Sequence, residues 1–399
     1  MSEQGTPVAA GVVAAVVGFS SSFVVVLAGL TAVGATPAQA ASGLLALCVA
    51  QALGMLWLAL RHRTPVSLAW STPGAALLGT TGAVQGGWPA AVGAFLATGV
   101  LVVATGLLPR LGDLVAAIPV SLARAMLAGV LLPLCVEPVL ALADSPATVA
   151  PVVLTWLVLQ RRAARWAVPA SLAVALVVVV VTAGDAVAAG DLLPTLAVTA
   201  PGWSWQALVG VTLPLYVVTM ASQNVPGVAV MGSFGYRVPW RETMGVTGLG
   251  TVLVAPLGGH AVNLAAITAA LNAGPAAGPD REQRWRASVS AAVTYLVLAV
   301  GAGALTALVA AAPDGVVQSA AGLALLGTLA ASLSDALADP ADRLPAIGCL
   351  VVAASGVSVL GVGAAFWALV VGLVLRRVSP SAPSPRSSAG RARSGTHRR

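Results

Sequence analysis

His260 is the residue in this sequence best suited to carry a proton inside an apolar environment. The chain has three histidines: His62 is flanked by arginines, His397 lies in a basic tail, and only His260 lies in a long apolar run. An imidazole titrates near physiological pH, so at membrane depth it could pair with an anion when protonated and release it when neutral. A neutral histidine bonded to the backbone at a helix break is an equally good interpretation.

Two short polar breaks, half a chain apart, indicate where helix ends could meet inside a membrane. Ser71 and Thr72 precede Pro73, and a hydroxyl followed by proline is typical of a helix start. We expect Asn263 to cap a second half-helix in the same way. Helix N-termini favour anions, and transporters use pairs of discontinuous helices to bind substrate at mid-membrane. Two ordinary kinked helices are the alternative.

A third polar group lies between these breaks along the chain. Ser222, Gln223 and Asn224 are followed by Pro226 and Gly227, which predicts a broken helix at this point. Amide and hydroxyl groups can donate to a carboxylate or bind an ordered water. Their alternative role is hydrogen bonding between neighbouring helices.

The side chains around these groups indicate what kind of substrate would fit. Phe19, Phe23, Trp70 and Tyr216 are candidate walls for an apolar ring, although Trp and Tyr also anchor at membrane interfaces. The spans that would carry the site contain no carboxylate. Because an unpaired like charge in a low dielectric is costly, this absence favours an anionic substrate over a cation or a neutral base.

The elements that must position these residues are membrane-spanning segments. Of the 399 residues, 58% are hydrophobic and only 8% charged, which predicts an all-α polytopic membrane protein. Apolar runs predict fourteen segments, several of them short, at 10–32, 38–60, 65–82, 87–108, 116–142, 147–160, 165–184, 206–231, 243–258, 259–274, 287–311, 315–337, 344–355 and 357–375.

Arginines mark alternate connections between these segments. They follow segments 2, 4, 6, 8, 10, 12 and 14, and the other connections carry acidic residues or no charge, but no arginine. The positive-inside rule then predicts a cytoplasmic membrane protein with both termini cytoplasmic. Nucleic-acid binding is not expected, because the arginines act as topology signals. Residues 378–399 are rich in Ser, Pro and Arg, which predicts a disordered basic cytoplasmic tail.

Several classes of chemistry lack a motif in this sequence. Cys48, Cys135 and Cys349 all lie in apolar runs without metal-ligand spacing, so we expect no metal site and no cofactor. We find no phosphate-binding loop and no nucleophile–base pair. The chain is therefore not expected to be an enzyme.

An internal repeat is detectable by hand. A shift of 193 residues sets Phe23 on Tyr216 and Gly129 on Gly322, and a shift of 192 sets Ser71 on Asn263. The repeats would cover about 8–184 and 205–377, with seven segments each. Because seven is odd, the second copy would cross the membrane upside down, as in inverted-repeat transporters.

Three motifs resemble the bacterial benzoate–proton symporter family, often called BenE-type. They are Ala221-Ser-Gln-Asn-Val-Pro-Gly-Val-Ala-Val-Met, Gly258-Gly-His-Ala-Val-Asn-Leu-Ala-Ala-Ile-Thr-Ala-Ala and Ala128-Gly-Val-Leu-Leu-Pro. The resemblance implies a fold related to the nucleobase–cation symporters, within residues 1–377. It also implies a core domain of segments 1–4 and 8–11, a gate domain of segments 5–7 and 12–14, and substrate between segments 3 and 10, which contain short extended stretches. Nucleobase carriers of this fold have a glutamate where His260 aligns.

Together these features predict a secondary transporter that imports benzoate or a related aromatic carboxylate with a proton in a bacterial inner membrane. A homodimer is among the expected partners. Alternatives are a carrier of the same fold for a nucleobase or an inorganic anion, and an anion channel. The predicted substrate-binding residues are Phe23, Trp70, Ser71, Thr72, Tyr216, Ser222, Gln223, Asn224, His260 and Asn263, with His260 as the proton-coupling group.

Overall fold

A computed structural model describes residues 6–183, 190 and 193–378 of the chain. The predicted basic tail, from residue 379 onward, lies outside the described residues. Almost all of the described secondary structure is helical, as the composition predicts.

The first half of the described chain contains nine helices and one short strand. Proline stands in the first turn of several helices, and Thr36 caps the longest of them in a reciprocal pairing with Gln39. The elements are α1 (Pro7–Ser20), α2 (Phe23–Ala32), α3 (Pro37–His62), β1 (Leu68–Trp70), α4 (Thr72–Thr81), α5 (Gly87–Leu107), α6 (Pro109–Ala116), α7 (Val120–Asp144), α8 (Pro146–Arg162) and α9 (Ala164–Ala183).

The second half repeats the alternation of long helices with one strand and one short helix. Its first helix is continuous and contains two π-helical turns, Leu208–Thr212 and Met220–Asn224. The elements are α10 (Trp205–Ser233), α11 (Trp240–Val254), β2 (Val262–Leu264), α12 (Ile267–Ala273), α13 (Trp285–Val300), α14 (Ala302–Ala310), α15 (Val316–Ala336), α16 (Arg343–Ala354) and α17 (Ala364–Val378).

The two strands pair with each other in the interior of the helix bundle. They run antiparallel, with Leu68 opposite Leu264 and Trp70 opposite Val262. On the outer edge of β2, Val262 N–H donates to the Thr251 hydroxyl (2.9 Å) and Leu264 N–H donates to Asn224 Oδ1 (2.8 Å). Non-helical backbone in a membrane must find such internal partners. The predicted extended stretches in segments 3 and 10 are confirmed.

Among the described residues, seven helices are long and apolar enough to cross a membrane when α1 and α2 are counted as one, Pro7–Ala32. The number is eight if α13 and α14, bent by 53° at Gly301, form one span. The remaining predicted segments correspond to shorter elements.

Two details of the prediction are wrong. Pro226 does not break α10, because the π turn Met220–Asn224 ends just before it and the proline falls in the first turn that follows. The last helix begins at Ala364 instead of residue 357, after a Val359–Val362 bridge.

Glycines that the predicted repeat relates, Gly82 with Gly274 and Gly129 with Gly322, have similar surroundings. Gly82 and Gly274 are the C-cap residues of α4 and α12. Gly129 and Gly322 lie at helix crossings, where an added Cβ would overlap the carbonyl oxygens of Leu350 and Leu134. Small residues allow such close approach between membrane helices.

Candidate functional site

His260 lies beside the N-terminus of α4 and is fully buried. Its Nε2 atom is 2.9 Å from the carbonyl oxygen of Ser71. Because a carbonyl only accepts, Nε2 carries the hydrogen of this bond. The other ring nitrogen, Nδ1, is buried without a hydrogen-bond partner among the described residues. A second proton would therefore be taken up at Nδ1.

Ser71 joins three elements at this point. Its hydroxyl accepts from the backbone N–H of Gly74 (3.1 Å), so the predicted N-cap of α4 is confirmed. The same hydroxyl is 2.8 Å from the hydroxyl of Thr219 in α10. Thr219 was absent from the predicted set, although it lies one turn before Ser222 in a span already marked by polar residues. Thr72 is the first residue of α4 and is half-buried.

Asn263 does not cap the second half-helix, and that prediction is wrong. The residue lies inside β2, three positions before Ala266, which is the N-cap residue and makes no side-chain cap. Its Nδ2 donates to the carbonyl of Leu264 (2.6 Å), whereas Oδ1 is buried without a partner among the described residues. The strand continues past Asn263, so the helix begins too late for this side chain to reach it.

In α10, Asn224 bonds to the backbone of β2, whereas Ser222 and Gln223 make no side-chain hydrogen bond among the described residues. Asn224 is fully buried; its Oδ1 accepts from Leu264 N–H and its Nδ2 contacts the Met220 sulfur at 3.1 Å. The bond from Leu264 joins α10 to β2, so Asn224 makes a structural contact, with a strand instead of the neighbouring helix that the alternative interpretation expected. Ser222 is buried with an unpartnered hydroxyl among the described residues, and Gln223 is half-buried.

The predicted aromatic walls separate into two places. Phe19 stacks on Phe23 (centroids 5.1 Å apart), meets Trp70 edge-on (5.6 Å), and Trp70 in turn meets Tyr295 of α13 (6.1 Å). Trp70 also donates from Nε1 to the Ser22 hydroxyl at 2.9 Å. Tyr295 was missed, because nothing local in α13 distinguishes it from a core aromatic.

Tyr216 is not part of this row. It is buried in α10, and its hydroxyl bonds to the Thr105 hydroxyl of α5. The predicted site residues thus fall around the strand pair, except for Tyr216, which faces α5.

The strand pair has no acidic side chain but several unsatisfied polar atoms. His260 Nδ1, Asn263 Oδ1 and Ser222 Oγ are all buried without a partner among the described residues. Such atoms each cost about 1–3 kcal/mol and are uncommon in proteins unless water or a ligand meets them.

The other buried charged side chains of the described part, Arg284 and Asp342, bond elsewhere. Within the same residues no group of three or more His, Cys, Asp or Glu could hold a metal ion.

A bundle of apolar helices interrupted by a buried strand pair is the architecture of a multi-pass membrane protein, and two solved structures share this fold. The transmembrane domain of a cyanobacterial bicarbonate transporter, BicA, superposes with a TM-score of 0.59 at 15% identity, covering 92% of this chain and 96% of that one. Murine Slc26a9, an anion transporter, superposes with a TM-score of 0.63 at 14% identity, covering 92% of this chain and 67% of that one.

Sequence comparison identifies the family. The profile described as BenE, benzoate membrane transport protein, matches residues 2–378, and the chain belongs to this family. It is 39% identical over 367 residues to the inner membrane protein YdcO of Escherichia coli, covering 91% of this chain and 93% of YdcO. It is 27% identical over 378 residues to the benzoate membrane transport protein of Acinetobacter baylyi, covering 92% and 93% of the two chains. The family profile and the Acinetobacter relative are both described as benzoate membrane transport proteins and not as enzymes.

Proposed function

We propose that the protein imports benzoate or a closely related aromatic carboxylate together with a proton. The observation that carries this proposal is the buried, unpartnered Nδ1 of His260 beside the N-terminus of α4. Protonation at Nδ1 creates a positive charge where no described carboxylate can neutralise it, so an incoming carboxylate and the proton stabilise each other. Loss of the proton then favours release of the carboxylate, and loss of the carboxylate favours release of the proton.

The remaining predicted residues take complementary roles in this proposal. Ser71, Thr72, Ser222, Gln223 and Asn263 form the polar end that holds the carboxylate, and Asn224 positions β2. Phe23 and Trp70 hold the ring together with Phe19 and Tyr295. Tyr216 takes part from the α5 side. All of these groups are buried or half-buried, so substrate access requires movement of one group of helices against the other.

The architecture we propose has fourteen segments in two inverted repeats, with core and gate domains as the family resemblance implies. The equivalent C-cap glycines, Gly82 and Gly274, and the antiparallel pairing of β1 with β2 support it. A homodimer stays a prediction.

Contacts between connections support the proposed topology, with both termini cytoplasmic in a bacterial inner membrane. Connections expected on the cytoplasmic side meet one another: Arg61 pairs with Glu242 (3.1 Å), and Arg376 pairs with Asp342 (2.8 Å). Connections expected on the opposite side also meet, since Thr199 accepts from Trp88 Nε1 at 3.0 Å.

The relatives support an anionic substrate. The name of the Acinetobacter relative says that it transports benzoate, and the two solved structures are described as bicarbonate and anion transporters. The bicarbonate transporter shares only the fold, so an inorganic anion remains a competitor to be tested instead of the preferred substrate.

The test is uptake of labelled benzoate into proteoliposomes with an imposed inward proton gradient. We expect accumulation above that of protein-free liposomes, abolished by a protonophore and by excess unlabelled benzoate. No protein-dependent benzoate uptake, or inhibition by bicarbonate or a nucleobase at far lower concentration than by unlabelled benzoate, would overturn the substrate assignment. Flux that equilibrates without accumulation would indicate a channel.

A further inference from the structure

A cavity lies at the end of the helix bundle, away from the strand pair. It has a volume of about 600 Å³ and is lined by Arg63, Tyr236, Arg281, Glu282, Gln283 and Trp285. Trp285 is the first residue of α13, and the others come from the connections that follow α3, α10 and α12. Separate parts of the chain therefore converge on one basic and aromatic recess.

Two arginines in this cavity are held in place by aromatic rings. The Arg63 guanidinium stacks over Trp285 (4.7 Å to the ring centroid), and that of Arg281 stacks over Tyr236 (5.1 Å). Arg281 also donates to the Phe234 carbonyl at 2.7 Å, and Tyr236 donates to the Arg281 carbonyl at 2.8 Å. Stacking orients a guanidinium while leaving its N–H groups in the ring plane available to an oxyanion.

Several other arginines of the described residues are already satisfied by protein groups, whereas Arg63 is not. Arg61, Arg124 and Arg376 each pair with a carboxylate, and Arg284 is bonded to two carbonyls. The Arg63 guanidinium has neither an ion pair nor a hydrogen bond among the described residues. A cation that is oriented but not neutralised is suited to bind an anion.

The cavity also offers acceptors. The Glu282 carboxylate lines it, and the Gln283 Oε1 atom is buried without a partner among the described residues. A ligand that matches both sets of groups carries a phosphate for the two guanidiniums and an N–H donor for Glu282 and Gln283.

The position of the cavity relative to the membrane indicates whether such a ligand is a lipid or a soluble molecule. Along α13, Val293, Val297 and Val300 are 51%, 68% and 60% exposed and form one apolar stripe. Arg286, beside Trp285, is seven residues before Val293 and so lies on the same face. In a membrane protein such a stripe faces lipid tails, and a Trp–Arg pair at its end lies at the depth of the headgroups.

We propose that this cavity binds the headgroup of a phospholipid, with the phosphate between Arg63 and Arg281 and an ammonium group against Glu282 and Gln283. The chemistry predicts phosphatidylethanolamine over phosphatidylcholine, because the choline nitrogen has no N–H to donate. The site is independent of the transport site at the strand pair.

The test is native mass spectrometry of the delipidated full-length protein titrated with each lipid. We expect one tightly bound phosphatidylethanolamine per chain, with phosphatidylcholine about tenfold weaker. The Arg63→Gln/Arg281→Gln variant should weaken the tight site by about tenfold or more. The control, Arg161→Gln/Arg162→Gln, removes the same charge from two exposed arginines at the end of α8 and should retain it.

Equal losses in both double variants would overturn the proposal, because they would indicate non-specific attraction. Equal binding of the two lipids would overturn the headgroup assignment. Inorganic phosphate or benzoate that displaces the bound lipid at low millimolar concentration would identify a soluble-anion site instead. If the double variant does not fold, Arg63→Gln alone provides the test, since this side chain makes no hydrogen bond among the described residues.

Discussion

The two strand–helix segments at the centre of the molecule share a backbone plan but differ in their side chains. Segment β1–α4 has a ten-residue helix capped by Ser71, whereas β2–α12 has a seven-residue helix whose N-cap residue, Ala266, makes no side-chain cap. The second segment instead carries His260 and the unpartnered amide oxygen of Asn263. One segment supplies a rigid helix end and the other supplies the group that can titrate.

The helices of these segments are also stabilised at opposite ends. The hydroxyl of Ser71 satisfies the N-terminus of α4, whereas the C-terminus of α12 is satisfied by Arg284, whose Nη1 donates to the Ala273 carbonyl at 2.7 Å. A cation at a helix C-terminus is favourable for the helix dipole. Each helix is therefore stabilised by a different polar contact at a different end.

The largest expected effect comes from removing the titratable group and keeping its hydrogen bond. In His260→Gln the amide nitrogen can still donate to the Ser71 carbonyl, but it cannot take up a proton. We expect proton-driven benzoate accumulation in proteoliposomes to fall to the protein-free level while the thermal midpoint in detergent changes little.

The matched control is His62→Gln, which makes the same replacement at the end of α3, where His62 bonds to Glu242 at 2.8 Å. It should retain accumulation. Proton-driven uptake that survives in His260→Gln, or is lost equally in His62→Gln, would contradict the coupling role.

A smaller effect, on stability, should follow from removing the C-terminal support of α12. Arg284 is buried and makes two charge-assisted bonds, to Ala273 and to Gly278 (2.8 Å). Hydrogen bonds to charged groups contribute about 1.5–3 kcal/mol each, so Arg284→Gln should lower the free energy of unfolding by about 3 kcal/mol. Chemical denaturation in detergent measures this. Arg286→Gln, two residues along and exposed, should change it by less than about 0.5 kcal/mol; similar losses would contradict the anchoring role.

Removing the N-cap of α4 should lower the free energy of unfolding by less than removing Arg284 does. Ser71→Ala removes the cap and the contact with Thr219, and loss of an N-cap typically costs about 1 kcal/mol. The adjacent Thr72→Ala is the control, because the Thr72 hydroxyl makes no hydrogen bond among the described residues. The same denaturation experiment should separate the two variants, and equal effects would show that the cap is not the stabilising contact.

The sequence predicts those features that depend on near neighbours. The Ser71 cap depends on residues within one turn, and the extended stretches depend on local breaks in helical periodicity. The contacts of Asn224 with Leu264, and of Trp70 with Tyr295, join residues far apart in the chain. Asn263 was misassigned for the same reason: pairing with β1 extends the strand past it, and local propensity cannot register a distant partner.

The smallest expected effect tests whether the missing cap on α12 can simply be restored. Ala266→Ser would place a hydroxyl at the N-cap position, but Ala266 has helical dihedral angles (φ −91°, ψ −48°), whereas a capping side chain requires an extended backbone there. Ser71, with φ −77° and ψ 90°, meets that requirement. We therefore expect Ala266→Ser to change the free energy of unfolding by less than about 0.5 kcal/mol. A gain of about 1 kcal/mol would mean that the two helices differ only by residue type and that their backbones are interchangeable.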